Sequence, residues 1–140
     1  MTPSKAASLP FLGTWKMVNC ETSHPHLPHP TRSTTTFADR DGAIDYRAET
    51  EWSDGRTTSA HAVFHLDGTW CAVEGSPLAD SASLKALDGG AFEGRMKKGD
   101  VVAGLSHMTL SPDGQRSTTR WEITGPGGAM VVWTTVSARQ

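Results

Sequence analysis

Asp41-Gly42-Ala43-Ile44-Asp45-Tyr46-Arg47-Ala48-Glu49-Thr50-Glu51-Trp52-Ser53-Asp54-Gly55 reads as one strand held between two turns. Ile44, Tyr46, Ala48, Thr50 and Trp52 fall on one face; Asp45, Arg47, Glu49 and Glu51 fall on the other. Alternation with a period of two is the pattern of a half-buried strand, wet on one side and dry on the other. Asp-Gly at each end supplies the positive φ that a tight hairpin demands.

The same punctuation continues along the chain. Asp67-Gly68 follows Asp54-Gly55 by 13 residues, as Asp54-Gly55 follows Asp41-Gly42. Gly75-Ser76-Pro77, Asp88-Gly89-Gly90, Lys98-Gly99-Asp100, Pro112-Asp113-Gly114 and Gly125-Pro126-Gly127-Gly128 are further turn signals, and Thr22 to Pro30 is a longer Pro/His-rich connection. These nine connections predict ten strands, over 14–21, 32–38, 43–52, 56–66, 69–74, 81–87, 91–97, 101–110, 115–124 and 129–137. The segment Ser81 to Leu87 could also pass for a short helix and is read as strand. Phe92, Gly94 and Met96 oppose Glu93, Arg95 and Lys97, and Ser117, Thr119, Trp121 and Ile123 oppose Arg116, Thr118, Arg120 and Glu122. Consecutive hairpins with one dry face make an antiparallel sheet. A sheet of ten strands in so short a chain must curl, and closure removes its exposed edges. The expected fold is all-β, an antiparallel up-and-down barrel of about ten strands with a central cavity. A two-sheet sandwich is the alternative, but it needs longer crossovers than these turns offer.

The chain has 140 residues, room for one domain. Residues 1–10 are expected to be a flexible N-terminal segment and 11–140 the barrel domain. Lys+Arg 13 against Asp+Glu 15 leaves a net charge of −2, without the basic footprint of a nucleic-acid binder or of a protein held on an anionic membrane. No run of apolar residues is long enough for a spanning helix. The N-terminal stretch lacks the apolar core of a secretory signal, so a cytoplasmic location is expected. Cys20 and Cys71 are expected as free, half-buried thiols, with a disulfide geometrically open.

Leu12-Gly13-Thr14-Trp15-Lys16-Met17, at the start of the first strand, resembles the Gly-x-Trp opening of the calycin superfamily, the lipocalins and fatty-acid-binding proteins. Gly75-Ser76-Pro77, Asp80 to Lys85, Met96-Lys97-Lys98-Gly99 and Leu110 to Gly114 are similar to stretches of bacterial lipocalin-like proteins. The resemblance runs from about Phe11 to Ser137 and implies a barrel with Trp15 plugging one end. It also has departures. Nine residues from Thr22 to Pro30 cannot form the helical pair of fatty-acid-binding proteins, and their Arg-Arg-Tyr carboxylate clamp has no counterpart here. Haem-binding barrels carry a late His that the strand Ala129 to Ser137 lacks. No cofactor is expected.

Ten strands enclose more space than small inner residues fill, so the shape implies a small-molecule site inside. With Trp15 inward, as the resemblance implies, alternation carries Met17, Asn19 and Glu21 to the same inner face. Glu21 would then be a carboxylate near the mouth, a candidate general base or hydrogen-bond acceptor. Tyr46, Trp52, Phe64, Trp70, Phe92 and Trp121 are the expected ligand-contacting aromatics, since rings give large contact at small entropy cost. His107 shares a face with Ala103 and Leu105, and either face of its strand can be the inner one. Glu21, Tyr46 and His107 are the candidate acid–base residues. His61 and His65 are expected outward. His24, His26 and His29 alternate with prolines that splay their side chains, so no metal site is expected. No Gly-rich phosphate loop, G-x-S-x-G or H-E-x-x-H occurs, which argues against nucleotide and hydrolase chemistry. The expected function is binding of a small hydrophobic or amphipathic molecule by a monomer or homodimer. The alternative is a cofactor-independent cyclase or isomerase acting on a polyketide-like substrate in the same cavity, and a barrel with a filled interior that serves a partner is a third reading.

Overall fold

The computed structural model describes residues 10–140. The expected flexible segment lies, apart from Pro10, outside the described residues. Ten strands form: β1 Gly13–Thr22, β2 Pro30–Arg40, β3 Ala43–Trp52, β4 Thr57–Phe64, β5 Cys71–Glu74, β6 Ser81–Ala86, β7 Phe92–Lys98, β8 Val101–Leu110, β9 Arg116–Thr124 and β10 Met130–Arg139. All ten expected strands are present, with ends displaced by a few residues at most, and Ser81–Ala86 is a strand. Each pairs antiparallel with its chain neighbours, and β10 returns to pair with β1, closing the barrel. A single closed sheet replaces the sandwich alternative. The first Asp-Gly turn works as its residues require: Asp41 and Gly42 both take positive φ, 52° and 90°. Among the described residues, helical structure is limited to two short 3-10 turns, Asp88–Gly90 and Pro126–Gly128.

Among the described residues three bulges break the alternation, at Thr31 in β2 and in β1 and β8, and the last two decide how expected site residues face. In β1 the register with β10 slips between Met17 and Asn19, leaving Val18 looped out and 54% exposed. A bulge adds one residue to one strand, so every side chain past it changes face. Trp15 and Met17 keep to the inside, but Asn19 and Glu21 face solvent and Cys20 packs against the core. The inward placement expected for Asn19 and Glu21 is therefore corrected. In β8 the register with β7 slips between Met96 and Lys97, so that Ala103 is the extra residue. Gly104, Ser106 and Met108 line the inside, while Val101, Val102, Leu105 and His107 are exposed.

One end of the barrel is plugged. Phe11 and Trp15 are almost wholly buried, and Trp15 Nε1 donates to the Phe11 carbonyl at 2.9 Å. Phe11 stacks edge-on against Phe37 and Phe92, with centroids 5.3 and 5.1 Å away. Arg139, at the end of β10, lays its guanidinium 4.4 Å from the centre of the Trp15 ring. Its nitrogens donate to the carbonyls of Leu12 (2.5 Å), Gly114 (3.0 Å) and Pro10. Gly13 is the residue this arrangement needs. Its φ is +125°, and a Cβ there would stand 2.9 Å from Arg139 Nη1.

Candidate functional site

A cavity of about 170 Å³ occupies the barrel interior. It is floored by the plug, with Trp15, Phe37, Phe92 and Met108 at its base. At the opposite end Trp52, Trp121 and Trp133 gather beneath the β1–β2 and β5–β6 connections, which bring Pro30 and Leu78 to the rim. Trp52 and Trp133 meet edge to face at 6.1 Å, and Trp133 is the register partner of Trp121. The room between floor and mouth comes from short side chains. Ala48 and Ala60 are register partners on β3 and β4, and Gly94 on β7 adds no side chain at all.

Alternation decides what faces this space. On β3 the dry face read from the sequence turns inward, so Tyr46, Ala48, Thr50 and Trp52 all line the cavity. Phe64, Phe92, Trp121 and Met17 also line it. The Trp52 and Trp121 indole N–H groups donate to Thr58 Oγ1 (2.9 Å) and Thr135 Oγ1 (3.3 Å), and Ser33 and Thr50 share a hydrogen bond of 3.1 Å. Buried polar groups are expensive without such partners.

Tyr46 lies between Phe37 and Phe64, with centroids 5.5 and 5.7 Å away. Its hydroxyl has no hydrogen-bond partner among the described residues. Burial disfavours the phenolate and pushes the Tyr46 pKa up to about 12. A folded pKa raised above the unfolded value contributes stability that is complete below pH 10 and is lost as pH climbs through about 12. The shift from 10.0 to about 12 corresponds to roughly 3 kcal/mol. Tyr46 is the chain's only tyrosine, so phenolate absorbance reports on it alone. A spectrophotometric titration of the folded protein should place the midpoint near 12, and a midpoint at 10 would mean the ring is solvated.

Four expected site residues lie elsewhere. Asn19 and Glu21 sit on the outer surface because of the β1 bulge. His107 is exposed on β8, its register neighbours being Glu93 and Arg120. Trp70 is also corrected: it precedes β5 in phase with the outward Ala72, and Lys97 Nζ stands 4.0 Å from its ring centre. It borders a second groove with Lys85, Glu93 and Arg95. His61 faces outward as expected, with Nε2 3.2 Å from Asp45 Oδ1, and His65 is exposed. In the Pro/His connection, His24 Nδ1 bonds Ser23 Oγ at 2.7 Å and His29 Nδ1 bonds the Leu27 carbonyl at 2.9 Å. No three metal-ligating side chains gather at one point among the described residues. Cys20 and Cys71 are both free; burial, helped by the charge of Glu21, raises the Cys20 thiol pKa.

Sequence reading missed part of the lining. Trp133 and Thr135 on β10 and Ser106 on β8 face the cavity, on strands whose inner face alternation alone left open. Ser117 and Thr119 were legible, because they share a face with Trp121.

No protein-family model matches the sequence, and comparison with curated proteins gives no match. Solved structures do match in fold. A zebrafish ileal bile acid-binding protein complexed with cholic acid superposes with a TM-score of 0.57 at 12% identity, covering 94% of this chain and 99% of that one. An S-type phycobiliprotein lyase from Guillardia theta gives 0.58 at 11% identity, over 94% and 89%. A bovine odorant-binding protein in complex with a selenium-containing odorant gives 0.51 at 13% identity, over 94% and 71%. The fold is calycin-like.

Proposed function

We propose that this calycin-like barrel binds a small hydrophobic or amphipathic molecule in its central cavity. The observation that carries the reading is the cavity itself: about 170 Å³ walled by aromatic and short side chains, with a few polar groups left to orient a guest. The zebrafish and bovine proteins of the same fold are complexed with cholic acid and with an odorant, which supports a guest inside this one. The alternative, a cofactor-independent cyclase or isomerase, retains only Tyr46 of its three acid–base residues at the cavity. A neutral phenol there can donate a hydrogen bond but does not act as a base near neutrality.

Calorimetric titration with 2-naphthol tests the binding reading. Burial of roughly 400 Å² of apolar surface, probe and wall together, contributes about 10 kcal/mol at ~25 cal/mol per Å². Association costs of ~4 kcal/mol or more leave a Kd on the order of 10–100 µM. Saturable heat with one site per chain and a shift in tryptophan emission are the expected results. Absence of both, for 2-naphthol and for a panel of neutral bicyclic probes, would overturn the reading.

A further inference from the structure

The geometry points to a cavity that selects uncharged guests, reading them between an apolar wall and a hydroxyl wall. This deepens the binding reading above and rests on it. The more apolar wall belongs to β3–β7, where Ala48, Ala60, Leu84 and Met96 line the body of the cavity and the Thr50 and Thr58 hydroxyls beside them are already paired with Ser33 and Trp52. The hydroxyl wall belongs to β8–β10. Ser106, Ser117 and Thr119 are each 9% exposed or less and line the cavity, with Ser137 beside them.

These hydroxyls are unspent. Trp52 and Trp121 have taken Thr58 and Thr135, but Ser106, Ser117 and Thr119 make no side-chain hydrogen bond among the described residues. Nor is any buried side-chain nitrogen or oxygen there sealed off without a partner, so these oxygens open onto the cavity. The same holds for the Tyr46 hydroxyl on the facing wall and for the Trp133 indole N–H at the mouth. A guest therefore meets several unpaired neutral hydroxyls on the β8–β10 side and, on the other, hydrocarbon broken by the Tyr46 hydroxyl.

No ionic partner accompanies them. Among the described residues, Tyr46 and Arg95 are the only ionisable side chains along the cavity. Arg95 occupies an outward position on β7, between the inward Gly94 and Met96, and its side chain is exposed. The carboxylate and imidazole expected inside, Glu21 and His107, are on the outer surface. A guest carboxylate or ammonium would be desolvated with nothing of opposite charge to meet it, whereas a hydroxyl, carbonyl or amide would find matching groups.

The test is calorimetric titration at neutral pH with four probes of one shape: 2-naphthamide, 2-naphthoate, the 2-naphthylmethylammonium ion and 2-methylnaphthalene. The amide should bind at least ~30-fold more tightly than either ion. Replacing the hydroxyl wall, as Ser106→Ala/Ser117→Ala/Thr119→Val, should weaken the amide roughly 3- to 10-fold and leave 2-methylnaphthalene unchanged or tighter. The comparison of amide with carboxylate uses the unaltered protein, so it stands even where the triple variant folds poorly. Naphthoate binding within threefold of the amide overturns the inference while leaving the cavity a binding site. A folded triple variant with undiminished amide affinity also overturns it. Failure of the amide and 2-methylnaphthalene alike removes the binding reading and this inference together.

Discussion

Trp15→Ala should lower the unfolding free energy by about 3–5 kcal/mol, the range of a large aromatic deleted from a packed core. Trp15 is 2% exposed and its indole is the lid on the plugged end of the barrel. Its loss leaves a void beside Phe11, strands the Phe11 carbonyl that Nε1 satisfied at 2.9 Å, and removes the ring beneath Arg139. The two residues should also be coupled. Arg139→Ala alone gives up three carbonyl contacts, and a double-mutant cycle with Trp15→Ala should return an interaction of about 0.5–3 kcal/mol. Urea unfolding followed by circular dichroism measures all four corners. Trp70→Ala is the contrast: that indole is on the outer face against Lys97, and its removal should cost less than ~1 kcal/mol. Equal losses for Trp15→Ala and Trp70→Ala would contradict the plug.

The second large effect concerns binding. Ala60→Trp should reduce 2-naphthol affinity at least ~30-fold, to below calorimetric detection, because an indole added there takes most of a space of about 170 Å³. Ala60 sits beside Ala48 at mid-height on the apolar wall, so the new ring has nowhere to lie but in the cavity. Stability should hold or rise by ~1 kcal/mol, since the added group fills space instead of displacing packed neighbours. The matched control is Ser59→Trp, one residue earlier on β4 and on the exposed outer face. It should leave binding as it was. Retained binding in a folded Ala60→Trp protein would move the site out of the barrel.

The strand pattern and its turns belong to the sequence alone. Ile44, Tyr46, Ala48, Thr50 and Trp52 alternate with charged neighbours because a pleated strand presents successive residues to opposite media, and the bracketing Asp-Gly pairs are local conformational demands. Neither depends on what lies across the barrel, so β3, β7 and β9 could be assigned an inner face, and with it Tyr46, Phe92 and Trp121. Closure of β10 onto β1 was inferable only as the cure for free edges. The rest was decided by tertiary pairing. A bulge arises where a strand must stay in register with a twisting partner, and nothing in Met17-Val18-Asn19 or Val102-Ala103-Gly104 announces one. Yet one extra residue reverses the face of everything beyond it, which put Asn19 and Glu21 outside. His107 was open in the sequence, and only the pairing of β8 with β7 and β9 placed it outward. Arg139 likewise meets Trp15 only because the last strand returns to the first. Local alternation encodes which residues share a face; the partner strand decides which face that is.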